Sequence, residues 1–211
     1  MVAMTGETKA AVSVALSRLR KSGLIPVGGR GPYAIDMDAA AAMRLLIALC
    51  ASVSLEADSA TKAVERFEDL PSRPPRVFPD EAGDEATSIV MLLDELGEEH
   101  TVGDALKQII DAAKRNELFT YLEGATGKRK KAFRHPDTRG YLSVQFMLPI
   151  PQVRIEHQFS GWLRKTWIYG HDAIEFEQYN RTCLAQGLGD RARLVTVSEA
   201  TIEAIGRTLA G

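Results

Sequence analysis

Leu19-Arg20-Lys21-Ser22-Gly23-Leu24-Ile25-Pro26-Val27-Gly28-Gly29-Arg30-Gly31 is the stretch around which the rest of the chain is read. Upstream of it, Val12, Leu16 and Leu19 recur at i, i+4 and i+7, the spacing of one apolar face of a helix. That pattern predicts a helix from about Glu7 to Ser22. Thr5 is the expected N-cap, because its hydroxyl can accept an orphan backbone N–H. Gly23 is placed to end the helix in a left-handed cap. Downstream, Leu24 to Val27 and Tyr33 to Ile35 read as two short strands. Gly28-Gly29-Arg30-Gly31-Pro32 forms the tight turn between them and carries an arginine near its tip.

The helix divides into two faces. Val12, Leu16 and Leu19 dock it on its own protein. Lys9, Ser13, Ser17, Arg20 and Lys21 lie mostly away from that stripe, with Arg18 nearby. A helix of this kind can enter the DNA major groove. Arg and Lys then pair with phosphate or guanine, and the two serines are short enough to let the backbone approach. Arg30 would reach the DNA backbone or the minor groove. The string from Leu19 to Gly31 resembles winged helix-turn-helix regulators, in which a recognition helix ends in a Leu-Arg-x-x-Gly-Leu-Ile pattern and leads into a glycine-rich wing. More narrowly, residues 5–53 resemble uncharacterised phage and mobile-element proteins of alphaproteobacteria. The resemblance implies double-stranded DNA as a partner, bound in transcriptional control. Modules of that family carry one or two helices before the recognition helix. Here Met1 to Gly6 precede it, so the next two helices or a partner subunit are expected to complete the bundle.

Those helices are predicted at about Asp38 to Ser52, capped by Asp36 or Asp38, and at about Ser59 to Leu70. The first is apolar around most of its circumference and must be buried, within the chain or in a dimer interface. Pro71-Ser72-Arg73-Pro74-Pro75 to Pro79 should be extended. Helices follow at about Glu85 to Leu96 and Val102 to Asn116, the second capped by Thr101. Tyr141 to Leu148, Val153 to Phe159 and Leu163 to Tyr169 alternate apolar with polar residues and carry aromatics, which predicts an antiparallel meander. Its cluster of Tyr141, Phe146, Phe159, Trp162, Trp167 and Tyr169 reads first as sheet core. A helix at about Ala173 to Gln186, a strand at Arg193 to Val197 and a final helix capped by Ser198 complete the chain.

Charge is distributed unevenly along the 211 residues. The formal net charge is −2, yet residues 1–35 hold Lys9, Arg18, Arg20, Lys21 and Arg30 against Glu7 alone, a net charge of +4. Residues 80–99 hold eight acids and no Lys or Arg. One face is therefore suited to phosphate and another is not. Lys128, Arg129, Lys130 and Lys131, with Phe133, Arg134 and His135, form a second basic patch, suited equally to nucleic acid and to solvent.

Several chemistries lack their signatures. The histidines, His100, His135, His157 and His171, are scattered without metal-ligand spacing. Glu156 and His157 should face opposite sides of a strand. Gly28-Gly29-Arg30-Gly31 lacks the ending of a phosphate loop, and no nucleophile elbow or dinucleotide fingerprint is present. Cys50 and Cys183 read as reduced core residues. No catalytic residue, metal or cofactor is expected, and no membrane segment, so the chain reads as cytoplasmic.

The resulting expectation is an α+β protein. Residues 1–70 form a winged-helix-like DNA-binding module, 71–83 a Pro-rich linker, and 84–211 an α+β domain for dimerisation or partner binding. The expected function is sequence-specific DNA binding as a homodimer. Two alternatives stand beside it: a ring-forming DNA-packaging subunit of the small-terminase type, and a phage module that binds or inhibits a host or phage protein.

Overall fold

The computed structural model describes residues 8–27, 37–52, 59–79, 92–118, 141–159, 163–171, 175–188 and 192–210. Helices α1 (Lys9–Lys21), α2 (Ala39–Ala51) and α3 (Ser59–Phe67) come first. Strand β1 (Arg76–Pro79), a 3-10 helix (Leu92–Leu96) and α4 (Val102–Lys114) follow. The C-terminal half holds β2 (Tyr141–Leu148), β3 (Gln152–Phe159), β4 (Leu163–Gly170), α5 (Phe176–Ala185), β5 (Arg193–Ser198) and α6 (Glu199–Ala210). The protein is α+β, as expected.

The strands form one sheet in the order β1-β4-β3-β2-β5, with every neighbouring pair antiparallel. Strands β2, β3 and β4 are the expected meander. The edges come from elsewhere. The proline-rich stretch, expected as a linker over 71–83, runs along the sheet through its described residues. Pro71 bridges Thr101, Ser72 bridges Tyr169, and Arg76 to Pro79 pair with Leu163 to Thr166 of β4. Proline lacks the N–H a central strand must donate, so it is accommodated at an edge.

One hydrophobic cluster joins both sides of that stretch. It contains Leu19, Leu45 and Phe67 from the first helices and Leu106, Phe146, Trp167 and Ile202 from the rest. The Phe67 and Phe146 ring centroids lie 6.0 Å apart. The expected boundary therefore does not separate two cores. α2 is buried inside the chain, so its apolar circumference is covered without a dimer interface. On the other face of the sheet, Met147 packs with Tyr179 and Cys183 of α5. The Tyr179 hydroxyl donates to the Ile150 carbonyl in the turn between β2 and β3. Among the described residues Cys50 and Cys183 are buried thiols outside any disulfide, as expected. No described helix is long and apolar enough to cross a membrane.

Helix ends follow their local chemistry. Thr8, not Thr5, caps α1 by accepting from the Ala11 N–H at 3.1 Å. Asp38 caps α2, and Thr101 with Asp104 forms a reciprocal capping box on α4. The expected helix over Glu85 to Leu96 has its first seven residues outside the described ones. Its remainder is the 3-10 turn. α3 stops at Phe67, short of Leu70.

The tightest helix contact joins α4 to α6. A Cβ at Gly206 would lie 2.6 Å from both the Ala113 Cβ and the Lys114 nitrogen. Backbone on the facing helix cannot yield as a flexible side chain can, so Gly206→Ala must push α6 away. Overpacking of this kind costs about 1–3 kcal/mol. Chemical denaturation of Gly206→Ala should show a loss in that range, with the same far-UV circular dichroism at zero denaturant.

Candidate nucleic-acid interface

α1 is built to present one face. Ala15 and Leu19 are buried, and Val12 and Leu16 pack partly against the core. At about 100° per residue, Lys9, Ser13, Ser17, Arg20 and Lys21 share one arc beside that stripe, and all five are exposed. Arg18 is not among them. It lies two residues from Arg20, on a different flank, and is half-buried. Arg18, Arg20 and Lys21 occupy the last turn, where positive charge also complements the negative end of the helix dipole.

The helix ends as its sequence dictates. Gly23 adopts φ +77°, its N–H donates to the Arg20 carbonyl at 3.1 Å, and the Leu24 N–H donates to the Leu19 carbonyl at 3.0 Å. These two bonds make a Schellman motif, which satisfies carbonyls the helix leaves open. Ile25 is then buried at 3% exposure. Leu24 to Val27 form no strand, contrary to the expectation for the first arm of a hairpin. The turn is held by Arg44 of α2, whose Nη1 donates to the Leu24 carbonyl at 2.7 Å. The same guanidinium grips both Glu68 oxygens, through Nε at 3.0 and 3.1 Å and Nη2 at 2.9 Å.

Helices α2 and α3 both pack on α1. A shallow depression of about 320 Å³ opens along the exposed face, lined by Ser13, Leu16, Ser17, Arg20, Lys21 and Val27. Sequence reasoning missed two residues here. Val14 is 41% exposed and Val27 is 69% exposed. Val14 lies off the Val12–Leu16–Leu19 stripe, so helical spacing alone could have flagged it. Arg30 and the second arm of the expected wing, Tyr33 to Ile35, lie outside the described residues. So do Lys128, Arg129, Lys130 and Lys131.

Ionisable groups also gather on the sheet, segregated by face. Glu156 accepts from Arg154 Nη2 at 2.6 Å and from the Tyr141 hydroxyl. Burial, then the bond to Glu156, pushes the Tyr141 phenol up to about 12. His157 lies on the other face, as the alternation requires, so it cannot act with Glu156. Its Nε2 is buried without a partner among the described residues. Nearby, Lys165 pairs with Asp94 and lies 5.4 Å from the Trp167 ring centroid. His100 and Tyr169 share a hydrogen bond of 2.9 Å. Among the described residues no group of His, Cys, Asp and Glu could hold a metal ion.

No family model, curated protein or solved structure matches this chain.

Two outcomes follow from these contacts. Glu68→Ala and Arg44→Ala should couple in a double-mutant cycle by about 1–2 kcal/mol, because a two-pronged charge-assisted contact is lost. Burial depresses His157 to about 4, with the Asp94 charge working weakly against it. Between pH 6.5 and 4 the unfolded chain then binds a proton that the folded chain refuses. Stability is thus fully present above pH 6.5 and falls as pH drops through that window, by about 3 kcal/mol in all. Denaturation of wild type and His157→Gln at pH 7.5 and 4.5 should show a clearly smaller loss in the variant.

Proposed function

We propose that the protein binds double-stranded DNA through the exposed face of α1, as a homodimer acting in transcriptional control. One observation carries this reading. Lys9, Ser13, Ser17, Arg20 and Lys21 share one exposed face of a helix whose apolar face is docked on α2 and α3. Thirteen residues give a rod about 20 Å long, and its diameter of about 10–12 Å fits a major groove about 12 Å wide. Short serines at its centre allow close approach, and the basic residues at its ends suit the flanking phosphates. The phage or mobile-element setting rests on the resemblance of residues 5–53 alone. A second reading, docking of a protein on the same face, is favoured by the exposed Val14 and Val27.

Fluorescence anisotropy with labelled duplex DNA at two salt concentrations tests the proposal. Affinity should fall steeply with salt. Arg20→Ala/Arg30→Ala should weaken binding by about 1–3 kcal/mol and flatten the salt dependence. Ser17→Glu should remove binding by placing a negative charge at the centre of the face. Arg181→Ala, exposed on α5, should change nothing. Unchanged binding in the α1 variants, or no binding to any duplex, overturns the proposal, and the second outcome favours the protein-docking reading.

A further inference from the structure

The sheet has two edges, and they are not equivalent. β1 is four residues long, follows Pro74 and Pro75, and ends at Pro79. Short length and proline are common ways of blocking an edge against further pairing. β5 carries no such block. Its six residues, Arg193-Leu194-Val195-Thr196-Val197-Ser198, contain no proline and three consecutive β-branched side chains. Among the described residues its one strand neighbour is β2. Arg193, Leu194, Thr196 and Ser198 are exposed, and only Val197 is buried. Among the described residues that edge is open, and an edge of this composition is a template for another strand.

Apolar surface lies beside that edge. Five large hydrophobic residues are exposed in the described structure, and three of them, Leu184, Leu188 and Leu194, fall within α5, its end and β5. Leu194 pairs in register with Met147, which packs against Tyr179 and Cys183, so Leu194 stands on the sheet face that carries α5.

We propose that β5 pairs antiparallel with β5 of a second copy of this chain, with Thr196 on the two-fold axis. This gives a location to the homodimer of the functional reading and rests on that part of it. The register follows from face and charge. Opposed residues in an antiparallel pair share a face, so a two-fold axis must pass through a residue position, not between two. With Thr196 on the axis, Val195 opposes Val197 of the second copy on the core side. Leu194 opposes Ser198 on the other side. Arg193 then stands opposite Glu199, the first residue of α6, and symmetry repeats that pair of opposite charges at both ends of the seam. Arg193 already reaches across its own protomer, its Nη1 lying 3.4 Å from the Ser52 carbonyl. A single strand thus supplies backbone, apolar and charged groups that complement themselves under a two-fold rotation.

Site-specific cross-linking of the full chain tests both the interface and its register. Across an antiparallel pair, directly opposed Cα atoms lie about 4.5–5.5 Å apart, within disulfide reach. Under mild oxidation Thr196→Cys should form a covalent dimer. Ser198→Cys should not, because two copies of residue 198 would be about 14 Å apart along the strands at about 3.4 Å per residue. Cys50 and Cys183 are buried and serve as internal controls in the wild type. Light scattering at tens of micromolar should give twice the 23.1 kDa chain mass for wild type and a single chain mass for Thr196→Lys. Circular dichroism and thermal melting establish that each variant is folded. A monomeric wild type, a dimeric Thr196→Lys, a Thr196→Cys that stays uncross-linked, or equal cross-linking at Ser198 overturns the proposal. DNA binding is measured separately. A protein that binds DNA as a monomer defeats the β5 seam and leaves the α1 reading standing. A cross-linked dimer that ignores DNA does the reverse.

Discussion

Arg44 sits where the helices converge. Its guanidinium closes the turn after α1 through the Leu24 carbonyl and holds both oxygens of Glu68 just beyond α3. The Glu68 backbone extends the same junction, since its carbonyl accepts from the Gly103 N–H at the start of α4. A Cβ at Gly103 would meet that carbonyl at 3.2 Å and the Glu68 Cγ at 3.0 Å, so α4 approaches this closely because residue 103 has no side chain. One charge pair therefore fixes the end of α1 relative to three other helices. Both partners are partly exposed, at 31% and 20%, so the desolvation cost is small compared with that of a fully buried pair. The face that α1 turns outward depends on this junction, because Leu19 and Ile25 can bury themselves only if the intervening turn is held.

The elements most legible in the sequence were those whose local chemistry and periodicity agree. The alternation in Tyr141 to Leu148 and its two successors placed three strands within a residue of their observed ends. Thr101 and Gly23 marked helix ends through capping chemistry that needs no tertiary context. Other features depended on partners distant in sequence. Nothing local to Arg76-Val77-Phe78-Pro79 announces a strand, because its pairing is supplied by β4. Thr5 and Thr8 are equally good caps in isolation, and Thr8 is the one that accepts from the Ala11 N–H. The strand expected at Leu24 to Val27 failed because Ile25 is drawn into the core beside Leu19.

The candidate site was legible in outline. Five of the six residues selected on α1 share its exposed face. Arg18 was harder to place, since its position on the wheel falls at the border where packing decides. The sheet shows a different limit. Gln152, Arg154, Glu156 and Thr166 alternate with apolar neighbours as a solvent-facing row should, yet all four are buried. Alternation reports that two faces differ in polarity. It does not report whether the polar face is open, and here Glu156 stabilises that burial by accepting from Arg154 and Tyr141.

The uneven burial of the helices bears on how the molecule opens. α1 commits Ala15 and Leu19 to the core, whereas α4 commits eight residues along its length. Local opening free energies scale with such investment, so the amide protons of α1 exchange with solvent through a small detachment of that helix. Those of α4, which buries eight residues, require a larger opening. The segment that faces outward is thus released more cheaply than α4, and anything that grips its outer face should register as slowed exchange along a single helix.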